Sequence, residues 1–297
     1  MNKLYVLYNP LAGDGTCEAK AKTLSSVYPE RELVYQDITK IQDYAALAAT
    51  LAPSDALLIC GGDGTLNRFV NDTYHLGIEN EILYWAAGTG NDFLRDLDKP
   101  DDAPPFSIKD YIADLPTVTV NGKTRYFLNG IGYGLDGYCC QVGDRVRARG
   151  KQPNYTAIAI GGLLFGYHPA AATVTVDGKK HTYKKTWIAP AMNGRFYGGG
   201  MMPTPGQLRL CGDHTVSFAS IHDTGKLRAL LVFPSIFKGE HVRHTDIVDV
   251  FAGHEITVEF DRPTALQIDG ETIPGVTKYQ VRAGVRQAAK ETAQIAH

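Results

Sequence analysis

Apolar runs alternate with helix-period segments through the first hundred residues of the chain. The runs at 4–8, 56–60 and 82–86 lack the polar alternation of a half-exposed strand, which indicates strands buried on both faces. A shorter strand is predicted at 33–35, and residues 21–28, 44–51 and 66–74 carry helical spacing. Because strands and helices alternate, the pattern predicts a doubly wound, mainly parallel α/β sheet.

The pattern changes after the Asp- and Pro-rich stretch at 99–105. Three hairpins are predicted there, because β-prone segments flank the turn dipeptides Asn121-Gly122, Asp177-Gly178 and Asp269-Gly270. Helices are predicted at 155–167 and 226–237. We therefore predict an α/β domain at 1–115 and a mainly antiparallel β domain at 116–285. The helix-prone residues 286–297 either return to the first domain or fray.

Composition narrows the class of protein. The chain has 297 residues, 44% of them hydrophobic, which is enough for a large buried core. The net charge is −2, so the protein lacks the strongly positive surface potential expected of a general nucleic-acid-binding protein. Without a leader pattern or an apolar run of about 18 residues, we expect a cytoplasmic protein. Five cysteines without CxxC spacing predict reduced structural thiols rather than disulfides or a zinc site.

Three glycine-rich turns follow the predicted strands of the first domain. They are Asn9-Pro10-Leu11-Ala12-Gly13, Gly61-Gly62-Asp63-Gly64-Thr65 and Gly88-Thr89-Gly90-Asn91-Asp92. Loops at the carboxyl ends of parallel strands leave the same sheet edge, where such sheets bind ligands. Glycines expose backbone N–H groups, and the helices that follow add positive dipole ends, so a phosphate chain fits there. Asp63 suits a Mg²⁺ ion carried by a nucleotide; the alternative is a tight turn capped by Thr65.

Three other patterns predict no ligand site. The GxGxxG match at 132–137 lacks the acidic residue about 20 positions on that a dinucleotide site requires. Gly122-Lys123-Thr124 resembles the end of a P-loop but lacks its leading glycine, so a hairpin turn is the better interpretation. His241 and His244, near Asp246 and Asp249, are interpreted as a polar surface loop rather than metal ligands.

The chain resembles the diacylglycerol kinase catalytic domain family, which includes bacterial lipid kinases and sphingosine kinases. The resemblance rests on the motifs at 9–13, 61–67 and 88–93 and on Asp269-Gly270-Glu271. Residues 127–136 and 198–201 also look like the family, so the similarity spans nearly the whole chain. The combination of GGDGT with GTGNDF about 25 residues later is specific, whereas GGDGT alone also occurs in NAD kinases and phosphofructokinases.

The resemblance implies that ATP binds in a cleft between the two domains. By motif match, Asp63 lies beside the nucleotide and its Mg²⁺, and Glu271 is the general base that takes the proton from the acceptor hydroxyl. Taken alone, Asp269-Gly270-Glu271 is only a hairpin turn with an exposed acid. The implied ATP-binding residues are Asn9, Pro10, Leu11, Ala12, Gly13, Thr39, Gly61, Gly62, Asp63, Gly64, Thr65, Asn67, Gly88, Thr89, Asn91 and Asp92.

One feature departs from the family pattern. Many bacterial members carry paired aspartates after the triple-glycine turn, and these bind a structural Mg²⁺. The corresponding stretch of this chain, 206–216, offers only Asp213. We therefore expect the structural Mg²⁺ site to be absent, which also weakens transfer of the family's substrate preference.

These observations predict a kinase that transfers the γ-phosphoryl group of Mg²⁺-ATP to a lipid hydroxyl, with diacylglycerol or a related lipid as acceptor. The alternatives are an NAD kinase and a catalytically inactive nucleotide-binding regulatory protein. Four basic residues at 145–151 precede the apolar stretch at 155–167, which favours either transient contact with an anionic membrane or a solvated charge run before a core helix. The lipid acceptor and the oligomeric state stay open, a homodimer included.

Overall fold

The computed structural model describes residues 2–210 and 212–284. Its first half contains a sheet with strand order β2-β1-β3-β4-β5, in which β5 alone pairs antiparallel. Every residue of β3 is buried, as expected for a central strand covered on both faces. The predicted doubly wound α/β sheet is confirmed. The strands are β1 (Lys3–Tyr8), β2 (Glu32–Asp37), β3 (Ala56–Gly61), β4 (Glu81–Ala86) and β5 (Phe106–Ser107).

Helices cover both faces of this sheet. Leu7, Leu57 and Ile59 pack on one face with Phe69 of α4, whereas Leu4, Val6 and Leu58 pack on the other with Leu24 of α2. The helix predicted at 21–28 is two helices, which meet at Thr23. The helices are α1 (Cys17–Lys22), α2 (Leu24–Val27), α3 (Tyr44–Ala49), α4 (Asp63–Thr73), α5 (Asp92–Asp96) and α6 (Lys109–Ile112).

The second half forms an antiparallel sheet, as predicted. Strand β14 pairs with β15, β8 and β9, which closes the path β14-β8-β11-β12-β10-β9 on itself around an apolar core. The strands are β6 (Thr117–Val120), β7 (Lys123–Tyr126), β8 (Gly130–Tyr133), β9 (Ala170–Val176), β10 (Lys179–Ile188), β11 (Ala191–Met192), β12 (Val216–His222), β13 (Val248–Gly253), β14 (Glu255–Ile268) and β15 (Glu271–Arg282).

The three predicted hairpin turns are confirmed. Asn121, Asp177 and Asp269 have φ of +50°, +46° and +44°, and the glycine after each is also left-handed. Two successive left-handed residues match the twist of paired strands, which explains the Asn/Asp-Gly preference. The segment that follows the Asn121-Gly122 turn forms two strands, β7 and β8, because the backbone between them turns to donate hydrogen bonds to Asp269.

Three helices pack outside the closed sheet: α7 (Leu135–Arg147), α8 (Tyr155–Gly161) and α9 (Lys226–Val232). The predicted helices at 155–167 and 226–237 are confirmed, each continuing into a turn of different pitch. Helix α7 was not predicted, because its glycines resemble a loop motif. A Cβ atom on Gly137 would lie 1.9 Å from the Ala265 carbonyl oxygen, so glycine allows α7 to pack directly on β14.

The predicted domain division at 115/116 falls between α6 and β6, and residues 286–297 lie outside the described residues. Cys17, Cys60, Cys139 and Cys140 are free thiols, whereas Cys211 is outside the described residues. Within 2–210 and 212–284, no helix is long and apolar enough to cross a membrane.

Candidate functional site

The three glycine-rich loops meet at the carboxyl edge of the parallel sheet. Strand β3 lies between β1 and β4, so their following loops are neighbours. The Asn9 backbone N–H donates to the Cys60 carbonyl oxygen at 3.0 Å, and the Ala87 N–H donates to that of Gly61 at 2.8 Å. The Asn9 side chain donates to the Thr65 hydroxyl at 2.8 Å. The loops therefore form one connected surface.

Two glycines bring the second and third loops into backbone contact. A Cβ atom on Gly88 would lie 2.5 Å from the Gly62 Cα, closer than carbon atoms approach without a bond. Gly62 is also the N-cap of α4 and supplies no side-chain cap, so the first N–H groups of that helix are not covered by one. This bed of exposed backbone suits an anionic ligand.

Asp63 is fixed at the base of these loops. Its Oδ2 accepts from the Asp92 N–H at 2.6 Å, and its Oδ1 accepts from the Phe93 N–H at 3.3 Å. The residue keeps some solvent contact, but the surrounding protein removes most of the hydration of its carboxylate. This desolvation, helped by the charge of Asp92, raises the pKa of Asp63 to about 7. A cation beside the carboxylate would relieve both effects.

Asn91 and Asp92 shape the third loop. Asn91 is left-handed, at φ +46°, and its Oδ1 accepts from the Gly88 N–H at 3.1 Å. The Asp92 carboxylate accepts from the Gly199 N–H at 2.7 Å and from Arg95 at 2.9 Å. Burial raises the pKa of Asp92. Asp92 therefore joins the third loop to the triple-glycine turn of the β-rich half.

The turn between β14 and β15 faces the same region. Asp269 accepts hydrogen bonds from the N–H groups of Leu128, Asn129 and Gly130 at 2.5, 2.8 and 3.0 Å. Burial raises the pKa of Asp269. The charge of Asp269 in turn adds slightly to the rise in the pKa of Asp63.

Glu271 follows this turn and lies beside α4. Its Oε2 is 2.5 Å from Nη2 of Arg125, and its Oε1 is 3.8 Å from Nη2 of Arg68. The side chain is 46% exposed, so an incoming hydroxyl group can reach it. Arg68, which faces Glu271, and Asp63 belong to the same helix. Helix α4 therefore connects Asp63, expected beside the nucleotide, with Glu271, expected beside the acceptor hydroxyl.

The remaining predicted residues are less central. Thr39 follows the edge strand β2, and both its N–H and its hydroxyl donate to Asp37, at 3.0 and 2.6 Å. Asn67 is buried, and its side chain accepts a hydrogen bond from Asn71. Asn71 also forms hydrogen bonds with the Tyr126 backbone, so Asn67 supports the packing of α4 on β7. Leu11 and Thr89 are exposed at the loop tips. Pro10, Ala12, Gly13 and Gly64 complete the loops around them.

An ion cluster between the halves was not predicted. Arg209 donates from Nε to Asp96 at 2.7 Å and from Nη2 to the Asn129 side chain at 2.6 Å. Arg195 binds the other oxygen of Asp96 at 3.1 Å. The burial here is the reverse of what hydropathy alone would favour, since Leu208 and Leu210 are exposed and the Arg209 side chain between them is buried. Specific acceptors, which hydropathy does not encode, account for this inversion.

One interpretation of a histidine was wrong. The His241 side chain is buried rather than part of a polar surface, although it belongs to a 3₁₀ turn with exposed neighbours, and its Nε2 lies 3.0 Å from the Pro203 carbonyl oxygen. Left-handed Gly239 folds this turn back against Pro205. Burial lowers the pKa of His241, which favours the neutral ring.

The predicted absence of a structural Mg²⁺ site stays a prediction. Asp213 is exposed, and its carbonyl oxygen accepts from His254 at 2.8 Å. In the described part of the chain, no three His, Cys, Asp or Glu side chains cluster as metal ligands.

Comparisons with known proteins match both halves. Residues 3–117 match the diacylglycerol kinase catalytic domain, and residues 129–286 match the YegS C-terminal NAD kinase beta sandwich-like domain. A Mycobacterium tuberculosis protein named diacylglycerol kinase is 28% identical over 260 residues, covering 83% of this chain and 82% of that protein.

Solved structures show the same fold at low identity. A crystal structure of a diacylglycerol kinase from Bacillus anthracis aligns with a TM-score of 0.59 at 19% identity, covering 95% of this chain and 94% of that one. A second crystal structure from that organism aligns with a TM-score of 0.66 at 20% identity, covering 95% and 92%. The chain therefore belongs to the diacylglycerol kinase catalytic domain family, and its second half is a YegS C-terminal domain.

Proposed function

We propose that this protein transfers the γ-phosphoryl group of ATP to the hydroxyl group of a lipid, with diacylglycerol as the first acceptor to test. Membership of a kinase family supports phosphoryl transfer. The observation that carries the proposal is the meeting of three glycine-rich loops around Asp63, with Glu271 held beside the same helix.

The loops and the start of α4 would hold the phosphate groups. Exposed backbone N–H groups bind phosphate oxygens, and the helix dipole stabilises their charge. Two backbone N–H groups hold the Asp63 carboxylate beside these loops. Asp92 acts as a positioning residue, because its carboxylate is used by Gly199 and Arg95.

The residues present fit a Mg²⁺ ion that arrives with the nucleotide. Such an ion needs one or two carboxylates, and phosphate oxygens and water complete its coordination. Asp63 meets that need: desolvation and the charge of Asp92 raise its pKa, and a bound cation would stabilise its ionised form. When bound, the ion would stabilise the charge of the transferring phosphoryl group.

Glu271 would accept the proton of the attacking hydroxyl group. Arg125 orients the carboxylate by its ion pair, and Asp269 fixes the turn that carries it. A base must lie within hydrogen-bond reach of the proton it removes, and an exposed carboxylate at the cleft edge permits that approach.

The test measures transfer of labelled γ-phosphate from Mg²⁺-ATP into pure lipids, beginning with diacylglycerol. Glu271→Ala should lower turnover by about 10²- to 10⁴-fold, because general-base catalysis contributes that much, while nucleotide affinity stays within about twofold. Glu259→Ala is the matched control, since Glu259 is an exposed acid of the same hairpin, paired with Lys278 at 2.6 Å.

Each other outcome has a defined meaning. Full activity of Glu271→Ala would remove Glu271 as the base. Label in NAD rather than lipid would replace the proposal with an NAD kinase. ATP binding without transfer to any acceptor would favour a regulatory protein that has lost catalysis.

A further inference from the structure

Two neighbouring helical elements of the β-rich half expose large apolar side chains. Phe165, Leu227 and Leu231 are 79%, 74% and 81% exposed, and Ile160 and Phe237 are 44% and 45% exposed. We call these five residues the apolar face. Single exposed leucines are ordinary, but five large apolar side chains on adjoining elements are not.

The apolar face is held in place by a buried layer beneath it. Leu227 and Leu231 are four residues apart and so share one side of α9, whereas Ala229 and Val232 on its other side are buried. Leu163 packs into the same buried cluster, two residues before exposed Phe165. Lys226 Nζ donates to the Leu164 carbonyl oxygen at 3.2 Å and ties the two elements together. The apolar face is therefore exposed although the helices that carry it are well packed.

The charges carried by the two chain segments that form the apolar face have one sign. Residues 145–168 contain four basic residues and no acidic ones, and residues 225–238 contain three basic residues and no acidic ones. The whole chain, by contrast, has a net charge of −2. Two of these arginines are paired with acids outside the segments, Arg147 with Asp144 at 2.9 Å and Arg228 with Asp246 at 2.5 Å.

We propose that the apolar face and its basic surroundings dock onto an anionic phospholipid bilayer. Phe and Leu side chains enter the headgroup and acyl boundary, and each Lys or Arg near an anionic surface adds attraction. A second copy of this chain fits less well, because a symmetric contact would place like charges against each other.

The docking surface is connected to the candidate base. Asp144, immediately before the basic segment, accepts from the Thr272 hydroxyl at 2.7 Å, and Thr272 follows Glu271 in β15. The C-terminal end of α7 therefore contacts the hairpin of Glu271 directly before the basic segment begins. The delivery of a lipid acceptor along this route rests on the function proposed above, whereas bilayer binding does not.

The experiment is flotation of the full chain with vesicles that contain no acceptor lipid. Wild-type protein should float with phosphatidylcholine vesicles containing phosphatidylglycerol, and weakly or not at all with phosphatidylcholine alone. The triple variant Phe165→Ser, Leu227→Ser, Leu231→Ser should have an affinity for these vesicles at least about tenfold lower, because its apolar side chains no longer insert into the bilayer. Val27→Ser is the matched control, because Val27 is an exposed apolar residue of α2, in the other half.

A second variant tests the charge contribution. Arg149→Glu, Lys151→Glu, Lys238→Glu should abolish the preference for anionic vesicles and remove most of the salt dependence. Thermal melting of each variant checks the fold, and phosphorylation of a short-chain, micelle-dispersed diacylglycerol checks the active site. Loss of vesicle binding with retained micellar activity would support docking.

Three results would overturn the proposal. One is absence of wild-type flotation with anionic vesicles. Another is unchanged flotation of both variants. The third is a wild-type dimer that the apolar triple variant converts to a monomer without any vesicle binding, which would make the face a self-association surface. Failure of the kinase assay alone would leave docking standing, because the vesicles carry no substrate.

Discussion

Because Gly88 has no side chain, the second and third glycine-rich loops can come into backbone contact. Gly88→Ala places a Cβ atom 2.5 Å from the Gly62 Cα and 3.0 Å from the Asn91 side chain, so the loops must separate. We expect a loss of about 1–3 kcal/mol in the free energy of unfolding, as in overpacked cores, and a nucleotide affinity lowered at least about tenfold. Denaturant unfolding and nucleotide titration measure the two effects.

Gly90→Ala is the matched control two residues away. Its Cβ atom would meet its nearest neighbour, the Gly199 Cα, at 4.0 Å, which is ordinary van der Waals contact. Equal losses for the two variants would show that the loop needs flexible glycine in general, not the close approach at Gly88.

Residue-scale prediction succeeded where chemistry is local. The left-handed turn at Asp269-Gly270 and the glycine loops follow from backbone sterics within a few residues. It was wrong at His241 and did not single out Arg209, because the burial of both side chains depends on acceptors, the Pro203 carbonyl oxygen and Asp96, that are more than 30 residues away in each case. Hydropathy describes a side chain, whereas a distant partner decides whether its polar group can be buried.

Among the elements, α5 is held at both ends. Asp63 accepts from its first N–H groups, and Asp96 at its last residue is bound by Arg195 and Arg209. Five residues make only a marginal helix, so these contacts rather than helix propensity stabilise it. The position of Asp63 therefore depends on a contact with the β-rich half.

Arg209→Ala should disturb this element strongly. It would leave the buried Asp96 carboxylate short of a partner, and breaking a buried pair in this way costs about 3–5 kcal/mol. Arg243→Ala is the matched control, since Arg243 is exposed and its pairing with Glu240 at 3.8 Å should contribute less than about 1 kcal/mol. Denaturant unfolding measures both. A loss below about 1 kcal/mol for Arg209→Ala would show that Arg195 alone compensates Asp96.

Elements were predicted better from periodicity than from motifs. The strands β1, β3 and β4 were predicted correctly because a run of five apolar residues is typical of a buried strand, although Leu83 and Trp85 leave one face of β4 only partly buried. Helix α7 was missed because Gly134 at its N-cap and Gly137 in its first turn resemble a loop motif, although each glycine is required by close packing against the second sheet. A sequence shows the glycine but not the backbone that approaches it.

In the whole molecule, the two halves are joined by polar contacts that local patterns cannot predict. Asp92 accepts a hydrogen bond from the Gly199 N–H, and Asp96 accepts one from Arg209, over separations of more than 100 residues. Asp136 lies near the first of these contacts, in α7 beside Tyr197 and the triple-glycine turn. Its Oδ2 has no hydrogen-bond partner among the described residues.

This buried acid should make global stability depend on pH. Burial raises the pKa of Asp136 from 3.8 to about 7, and the Tyr197 hydroxyl offsets part of that rise. Between about pH 4 and 7 the unfolded chain has lost this proton and the native protein retains it. Stability from this group is therefore greatest at low pH and falls by up to roughly 1.4 kcal/mol per pH unit as pH rises.

Asp136→Asn removes the titration but keeps the shape of the side chain. Its stability relative to wild type should therefore rise from pH 5 to pH 7, and stay constant above about pH 7.5, where both wild-type states are ionised. Tyr197→Phe should act in the opposite direction, since loss of the hydroxyl raises the pKa of Asp136 further and extends the decline to higher pH. Denaturant unfolding across this range measures both variants against wild type. Parallel stability curves for wild type and Asp136→Asn would mean that Asp136 ionises equally in both states, and that its burial is relieved by local opening of α7 rather than by protonation.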